Sequence, residues 1–330
     1  MKIVAAYLVF LSAGACAPAV VIVGDPPPPP AIERYVADYY APHDTLYVRE
    51  NNHELEAVLK RVPHPLVQLA GDTFASRADD AAAGLGRLVL GRDTLRIDNT
   101  VFIRRKIAAG TFRITPLHPV EELRAMALHA TPPVQPDSLR KSDLVELKSL
   151  DPTIKYDIRY ATTNNFMGAQ FYSSAHAFMQ RPAAEAVARA NKKLKQYGYA
   201  LLIHDAYRPW YVTKMFWEAT PDSLKDFVAD PASGSRHNRG AAVDLTMYDL
   251  KTGAAVPMTG GYDEFSERSF PTYPGGTTLQ RENRALLRRT MEDEGFTVYT
   301  VEWWHFDYQD WRKYPVTNLT FEELLSGPAH

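Results

Sequence analysis

Gly234-Ser235-Arg236-His237-Asn238-Arg239-Gly240-Ala241-Ala242-Val243-Asp244-Leu245 is the stretch on which the reading of this 330-residue chain turns. Two clusters accompany it: His204-Asp205-Ala206-Tyr207-Arg208-Pro209 before it and Val301-Glu302-Trp303-Trp304-His305-Phe306 after it. The chain has a single cysteine, which excludes an internal disulfide and any Cys-rich zinc or iron–sulfur site. A bound metal must therefore be held by His and carboxylate groups. Zinc in hydrolases takes three protein ligands and leaves a position for water, and imidazole and carboxylate suit it. His237, Asp244 and His305 are such a set. Glu302, outside the set, could serve as the base that a hydrolytic site needs. Spacing alone leaves this open. On an ideal strand, residues three apart face opposite sides, so Glu302 and His305 converge only if the chain bends between them. A His and an Asp seven apart also fit a structural histidine and a surface carboxylate. Arg208 beside Asp205 reads equally as one half of a structural ion pair.

Around these clusters, from about residue 142 onward, the pattern is α+β. Leu144–Leu147 and Ile154–Ile158 read as strands. Arg181–Tyr197 reads as a helix, with Pro182 near its start and Gly198 as its stop. The apolar run Tyr199–Ile203 reads as a buried strand. Helices are expected from near Pro209 and over Arg281–Glu294, and a last core strand over Phe296–Val301. There is no glycine-rich phosphate loop and no regular strand–helix alternation, so a dinucleotide-binding fold is not expected.

Residues 32–130 read as a small, mostly-β accessory domain. Thr45–Val48 and Pro65–Leu69 are β-rich. Arg87–Leu90, a turn at Gly91-Arg92-Asp93 and Thr94–Ile97 form a hairpin pattern. Thr100–Ile103 and Thr111–Ile114 continue the meander, and a helical patch at Val120–His129 ends it. His43, His53, His64, His118 and His129 have no legible partner set and read as surface or structural. Thr131-Pro132-Pro133 through Asp137 marks a Pro-rich linker over 131–142.

Lys2, the apolar run Ile3–Leu11 and the small residues Ser12–Ala15 lay out an export signal over residues 1–16, too short to span a membrane. Cys16 stands where that run ends. It resembles the lipidated cysteine of a bacterial lipoprotein, although Ala13 replaces the usual Leu; ordinary cleavage near Ala15 or Ala17 is the alternative. Pro26–Pro30 within 17–31 forms a stiff polyproline spacer. The expected location is the periplasm or cell envelope, with membrane attachment through Cys16. Charged residues balance, 37 Lys+Arg against 39 Asp+Glu, which argues against a nucleic-acid partner. The 45% hydrophobic content argues against a disordered chain.

Residues 143–320 resemble the D-alanyl-D-alanine dipeptidases of the VanX type, zinc metallopeptidases related to D,D-carboxypeptidases and to the Hedgehog N-terminal domain. The resemblance is carried by Ser-Arg-His-Asn-Arg-Gly-Ala-Ala-Val-Asp-Leu-Thr at 235–246 and Glu-Trp-Trp-His at 302–305. Asp-Ala-Tyr-Arg-Pro at 205–209, Tyr-Ala-Thr-Thr-Asn-Asn-Phe at 160–166 and Ser-Glu-Arg-Ser at 266–269 add to it. It implies an α+β zinc domain with an antiparallel sheet over 143–325 and one Zn2+ per chain. His237, Asp244 and His305 would be its ligands, Glu302 the base, and Arg208 the group facing the transition state. Tyr160 and Ser235 match positions lining the dipeptide site. Asp263 is a candidate partner for the substrate ammonium, since a buried ammonium needs a carboxylate. The implied substrate is a small D,D-dipeptide. D,D-carboxypeptidase action on peptidoglycan fragments, or a non-catalytic module binding zinc or wall peptide, are the alternatives.

Overall fold

The structure, a computed structural model, describes residues 30–77, 85–105 and 113–326. The expected export signal, Cys16 and nearly all of the spacer lie outside the described residues, as does the start of the strand expected at 111–114; Arg113 and Ile114 themselves are not in a strand.

Among the described residues, eight strands form the N-terminal unit: β1 Ala37–Ala41, β2 Asp44–Asn51, β3 Glu54–Leu59, β4 Val62–Ala70, β5 Thr73–Ser76, β6 Arg87–Leu90, β7 Thr94–Ile97 and β8 Thr100–Arg104. Each pairs antiparallel with the next, and β8 returns to β1 through Tyr39 opposite Arg104, closing an up-and-down barrel. Alternation along β2 and β6 turns Leu46, Val48, Leu88 and Leu90 inward, where they meet Tyr39, Phe74, Leu95 and Phe102. The β2–β3 turn uses positive φ at Asn52 and His53 (50° and 67°), the twist that suits a two-residue hairpin. The β3–β4 turn uses the same conformation at Lys60 and Arg61 (50° and 68°) without Gly or Asn.

The C-terminal unit is built on a five-stranded sheet. Its strands, in spatial order, are β10 Lys155–Tyr156, β12 Tyr199–Asp205, β13 Ala242–Asp249, β15 Glu302–Tyr308 and β14 Phe296–Tyr299. Among the described residues, only β10 and β12 run parallel. A two-stranded sheet joins β9 Leu144–Glu146 to β11 Phe178–Gln180. The helices Arg181–Lys195 and Thr278–Glu292 pack on the larger sheet through Val187, Ala190, Leu194, Leu286, Leu287 and Met291. Pro182 and the Thr277–Gln280 capping box set their starts. The helix Trp210–Ala219 begins at Pro209, as expected.

Two expectations change. The helix Val120–His129 does not end the barrel unit: Leu123 and Ala127, with Ile114, join the C-terminal core, and Leu117 N–H bonds Ala219 O at 3.0 Å. The boundary therefore falls before Arg113. The Pro-rich segment 131–142 lies along the C-terminal unit, where Gln135 Oε1 accepts from Val316 N–H (3.1 Å) and Arg140 N–H bonds Lys313 O (2.8 Å).

Candidate active site

Asp244 lies in β13, a central strand buried along nearly its whole length, directly opposite His305 on β15. His237 comes from the one-turn 3-10 helix His237–Arg239. Gly240 ends that turn with φ +62°, and a Cβ there would press on the Leu144 side chain, so any other residue would be strained. Asn238 fixes the turn. Its amide donates to Arg208 O (2.8 Å) and Thr213 Oγ1 (2.9 Å), and its Oδ1 accepts from Ser235 N–H (2.7 Å). His237 Nε2, Asp244 Oδ1 and His305 Nδ1 converge: His305 to Asp244 is 2.9 Å, His237 to Asp244 3.4 Å and His237 to His305 3.2 Å.

The remaining ring nitrogens are committed elsewhere. His237 Nδ1–H donates to Ala206 O at 2.7 Å, and His305 Nε2–H donates to Asp307 Oδ1 at 2.9 Å. A carbonyl and a carboxylate only accept, so in its neutral form each ring turns a lone pair toward Asp244, the orientation a metal requires. Burial works against a charge on His305, yet Asp244 and Asp307 favour a second proton on its ring and push it up to about 10; a metal bound at Nδ1 would displace that proton. Burial likewise opposes ionisation of Asp244, but His237 and His305 hold it well below the usual carboxylate range. The trio thus has the donor chemistry and the negative charge to hold a divalent cation.

Glu302 reaches the same centre, its Oε2 lying 3.9 Å from His305 Nδ1. The parity problem is solved by a register slip. Val298 pairs with Phe306, but Tyr299 pairs with Glu302, so β15 departs from regular pleating between Glu302 and His305. Burial raises the Glu302 carboxyl above its ordinary value, although its side chain remains about a third open to solvent (36%).

Arg208 is buried at the other side, paired with Asp205 Oδ2 through Nη2 (2.7 Å) and Nε (3.1 Å). Asp205 also accepts from Tyr172 O–H (2.6 Å) and Ala206 N–H (2.9 Å). The structure shows the ion-pair reading of Arg208: Asp205 fixes the guanidinium in place over Tyr160 and Phe216. Asp263 completes the wall. It is buried, has φ +54°, and accepts from Tyr160 O–H at 3.3 Å. Burial, then the charges of Asp244 and Glu302, push its carboxyl well above the usual range. Asp244, Glu302 and Asp263 crowd one side of the site, and each ionised carboxylate disfavours ionisation of the next; an incoming cation would relieve that repulsion.

The family profile for D-ala-D-ala dipeptidases, peptidase family M15, matches residues 140–323. The chain belongs to this family. As an M15 enzyme it is a metallopeptidase, and the match leaves the barrel outside. The D-alanyl-D-alanine dipeptidase of Escherichia coli (strain K12) is 35% identical over 190 residues, 57% of this chain and 97% of that protein. The Enterococcus faecium D-alanyl-D-alanine dipeptidase is 34% identical over 189 residues, 51% of this chain and 92% of that protein. A solved LdcB LD-carboxypeptidase, from work on peptidoglycan recognition, aligns with TM-score 0.33 and 18% identity over 52% of this chain and 71% of that one. That likeness is too distant to bear on the chemistry.

In the structure His237, Asp244, His305, Glu302, Arg208, Tyr160 and Asp263 are drawn together. Ser235 caps the His237 turn, its Oγ accepting from Asn238 N–H at 3.1 Å. Two contributors escaped the sequence reading: Asp307 and Tyr262, whose O–H donates to Asp244 Oδ2 at 3.0 Å. Asp307 lies two residues past His305, which was the available signal; Tyr262 gave none. His204 is structural, its ring packed against Tyr262 and near Asp157. His176 pairs with Glu146 at 2.9 Å.

Proposed function

We propose that the chain hydrolyses D-alanyl-D-alanine to two molecules of D-alanine, using one zinc ion held by His237, Asp244 and His305. The convergence of these three donor atoms beside Glu302 carries the proposal. Zinc, when bound, supplies Lewis acidity and makes a water acidic near neutral pH. Glu302 takes the proton from the attacking water as its oxygen joins the scissile carbonyl carbon. When the C–N bond breaks, Glu302 returns that proton to the leaving amine. Arg208, locked by Asp205, faces the negative charge that gathers on the carbonyl oxygen. Asp263 pairs with the substrate ammonium and Tyr160 lines that end. Ser235 acts from behind, holding the His237 turn.

The test is release of free D-Ala by the purified, zinc-loaded protein from D-Ala-D-Ala, a pentapeptide stem and L-Ala-L-Ala. D-Ala-D-Ala is expected to be cleaved best. Preference for the pentapeptide would make the enzyme a D,D-carboxypeptidase, and no cleavage of any D,D bond would remove the proposal.

The layout of residues 1–30 also supports export, with attachment to the membrane through a lipidated Cys16 and the Pro26–Pro30 spacer holding the enzyme off the surface. Radiolabelled palmitate is expected in the wild type and absent from Cys16→Ser. Label retained in Cys16→Ser would place the lipid elsewhere.

A further inference from the structure

We propose that the N-terminal barrel is a positioning module for the substrate-ammonium end of the site, acting through Asp38, Tyr47 and Glu50 on the loop that carries Tyr262 and Asp263. The inference rests on the reading of Asp263 as the ammonium partner.

The barrel spends two buried carboxylates on its neighbour. Asp38 and Glu50 are each 2% exposed. Asp38 Oδ1 accepts from Tyr273 O–H. Glu50 Oε2 accepts from Thr278 N–H (2.7 Å) at the start of the helix Thr278–Glu292, where the helix dipole favours an anion. Arg281, one turn along, bonds back to Glu50 O at 2.9 Å. Tyr47 O–H donates to Glu267 Oε2 at 2.6 Å, and its ring meets Tyr273 edge to face.

These contacts fall on the segment that shapes the active-site wall. Glu267 sits in the short turn Glu267–Ser269. Ser266 and Ser269 at that turn donate to Glu264 through their hydroxyls, and Glu264 Oε2 accepts from Gly261 N–H at 2.7 Å. Tyr262 and Asp263 are the two residues enclosed by that last bond. The start of the loop is pressed onto its end. Arg268 Nε–H donates to Thr259 O (2.8 Å), and a Cβ on Gly260 would lie 2.9 Å from Arg268 O. Arg284, on the helix that Glu50 caps, holds Thr259 Oγ1 (3.0 Å) and Tyr273 O (2.9 Å) together. Asp263 needs such enclosure, because a left-handed backbone at a non-glycine residue persists only where its surroundings impose it. The M15 match begins at residue 140, so the barrel that supplies this brace lies outside it.

The test uses the full-length, zinc-loaded protein and the double variant Tyr47→Phe/Tyr273→Phe, which removes two tying hydroxyls and keeps both rings. Arg77→Ala, which removes an exposed barrel ion pair with Glu54, is the control. For the double variant, KM for D-Ala-D-Ala is expected to rise about tenfold with kcat within about twofold, and amide exchange over residues 260–269 to quicken by about tenfold. A merely structural role would lower the melting temperature and the active fraction but leave KM alone. Unchanged KM together with unchanged exchange would overturn the proposal, as would a fall in kcat at constant KM. Should the wild type not cleave D-Ala-D-Ala, faster exchange over 260–269 would still support the brace while the dipeptidase reading fails. If the double variant does not fold, Tyr47→Phe alone carries the same expectations in the same direction.

Discussion

Replacing Asp205 by alanine separates the structural role of the Arg208 pair from its chemistry. Asp205 is fully buried and satisfies four donor groups: two from Arg208, the Tyr172 hydroxyl and the Ala206 amide. Asp205→Ala leaves a buried guanidinium without its anion, and the loss of one partner from such a pair costs about 3–5 kcal/mol. For a domain of this size each kcal/mol moves the melting temperature by about 2–4 °C, so a fall of roughly 6–20 °C is expected by calorimetry at pH 7. The double variant Asp205→Ala/Arg208→Met removes the orphaned charge and should recover most of that loss. Turnover should not recover, because a group facing the developing oxyanion is worth about 10²–10³ in kcat. The reasoning is refuted if Asp205→Ala melts with the wild type, or if the double variant regains turnover along with stability.

Asp307→Ala strips His305 of its outer partner; zinc affinity measured by chelator competition should weaken about 10- to 100-fold, and an unchanged affinity would show that Asp307 does not orient the ring. Gly240→Ala forces a side chain into the left-handed turn against Leu144, so a stability loss above about 1 kcal/mol in urea titration is expected, accompanied by weaker zinc retention. The acid limb of kcat/KM should lie above the ordinary glutamate pKa of 4.5, since burial raises Glu302 and its protonated form cannot accept a proton. Activity is then lost as pH falls through that raised value; a limb at or below 4.5 would assign it to another group.

Much of the C-terminal unit was legible because its signals are local. Pro182 and Gly198 bracket one helix, Pro209 starts another, and the apolar run from Tyr199 marks a buried strand. The turn at Gly91-Arg92-Asp93 likewise announced the β6–β7 hairpin. What was missed depends on distant pairing or on turns without turn residues. Barrel closure joins Tyr39 to Arg104 across the whole unit, and Lys60-Arg61 bends the chain with neither Gly nor Asn to announce it. The helix Val120–His129 has a legible pattern, but nothing in it says which of two cores receives Leu123. At the site, the motifs named His237, Asp244, His305 and Glu302, while the approach of Glu302 to the other three depends on the slip between Val298 and Tyr299, which no periodicity encodes. Tyr262 enters by the fold of an irregular loop and reads as an ordinary tyrosine in sequence.

The central claim is that Glu302 moves protons beside a metal held by His237, Asp244 and His305. The most direct measurement is turnover of D-Ala-D-Ala by zinc-loaded Glu302→Gln alongside its metal content. The account predicts a loss of at least about 100-fold in kcat with zinc retained at the wild-type stoichiometry. Wild-type turnover in the variant, with the metal still bound, would contradict it.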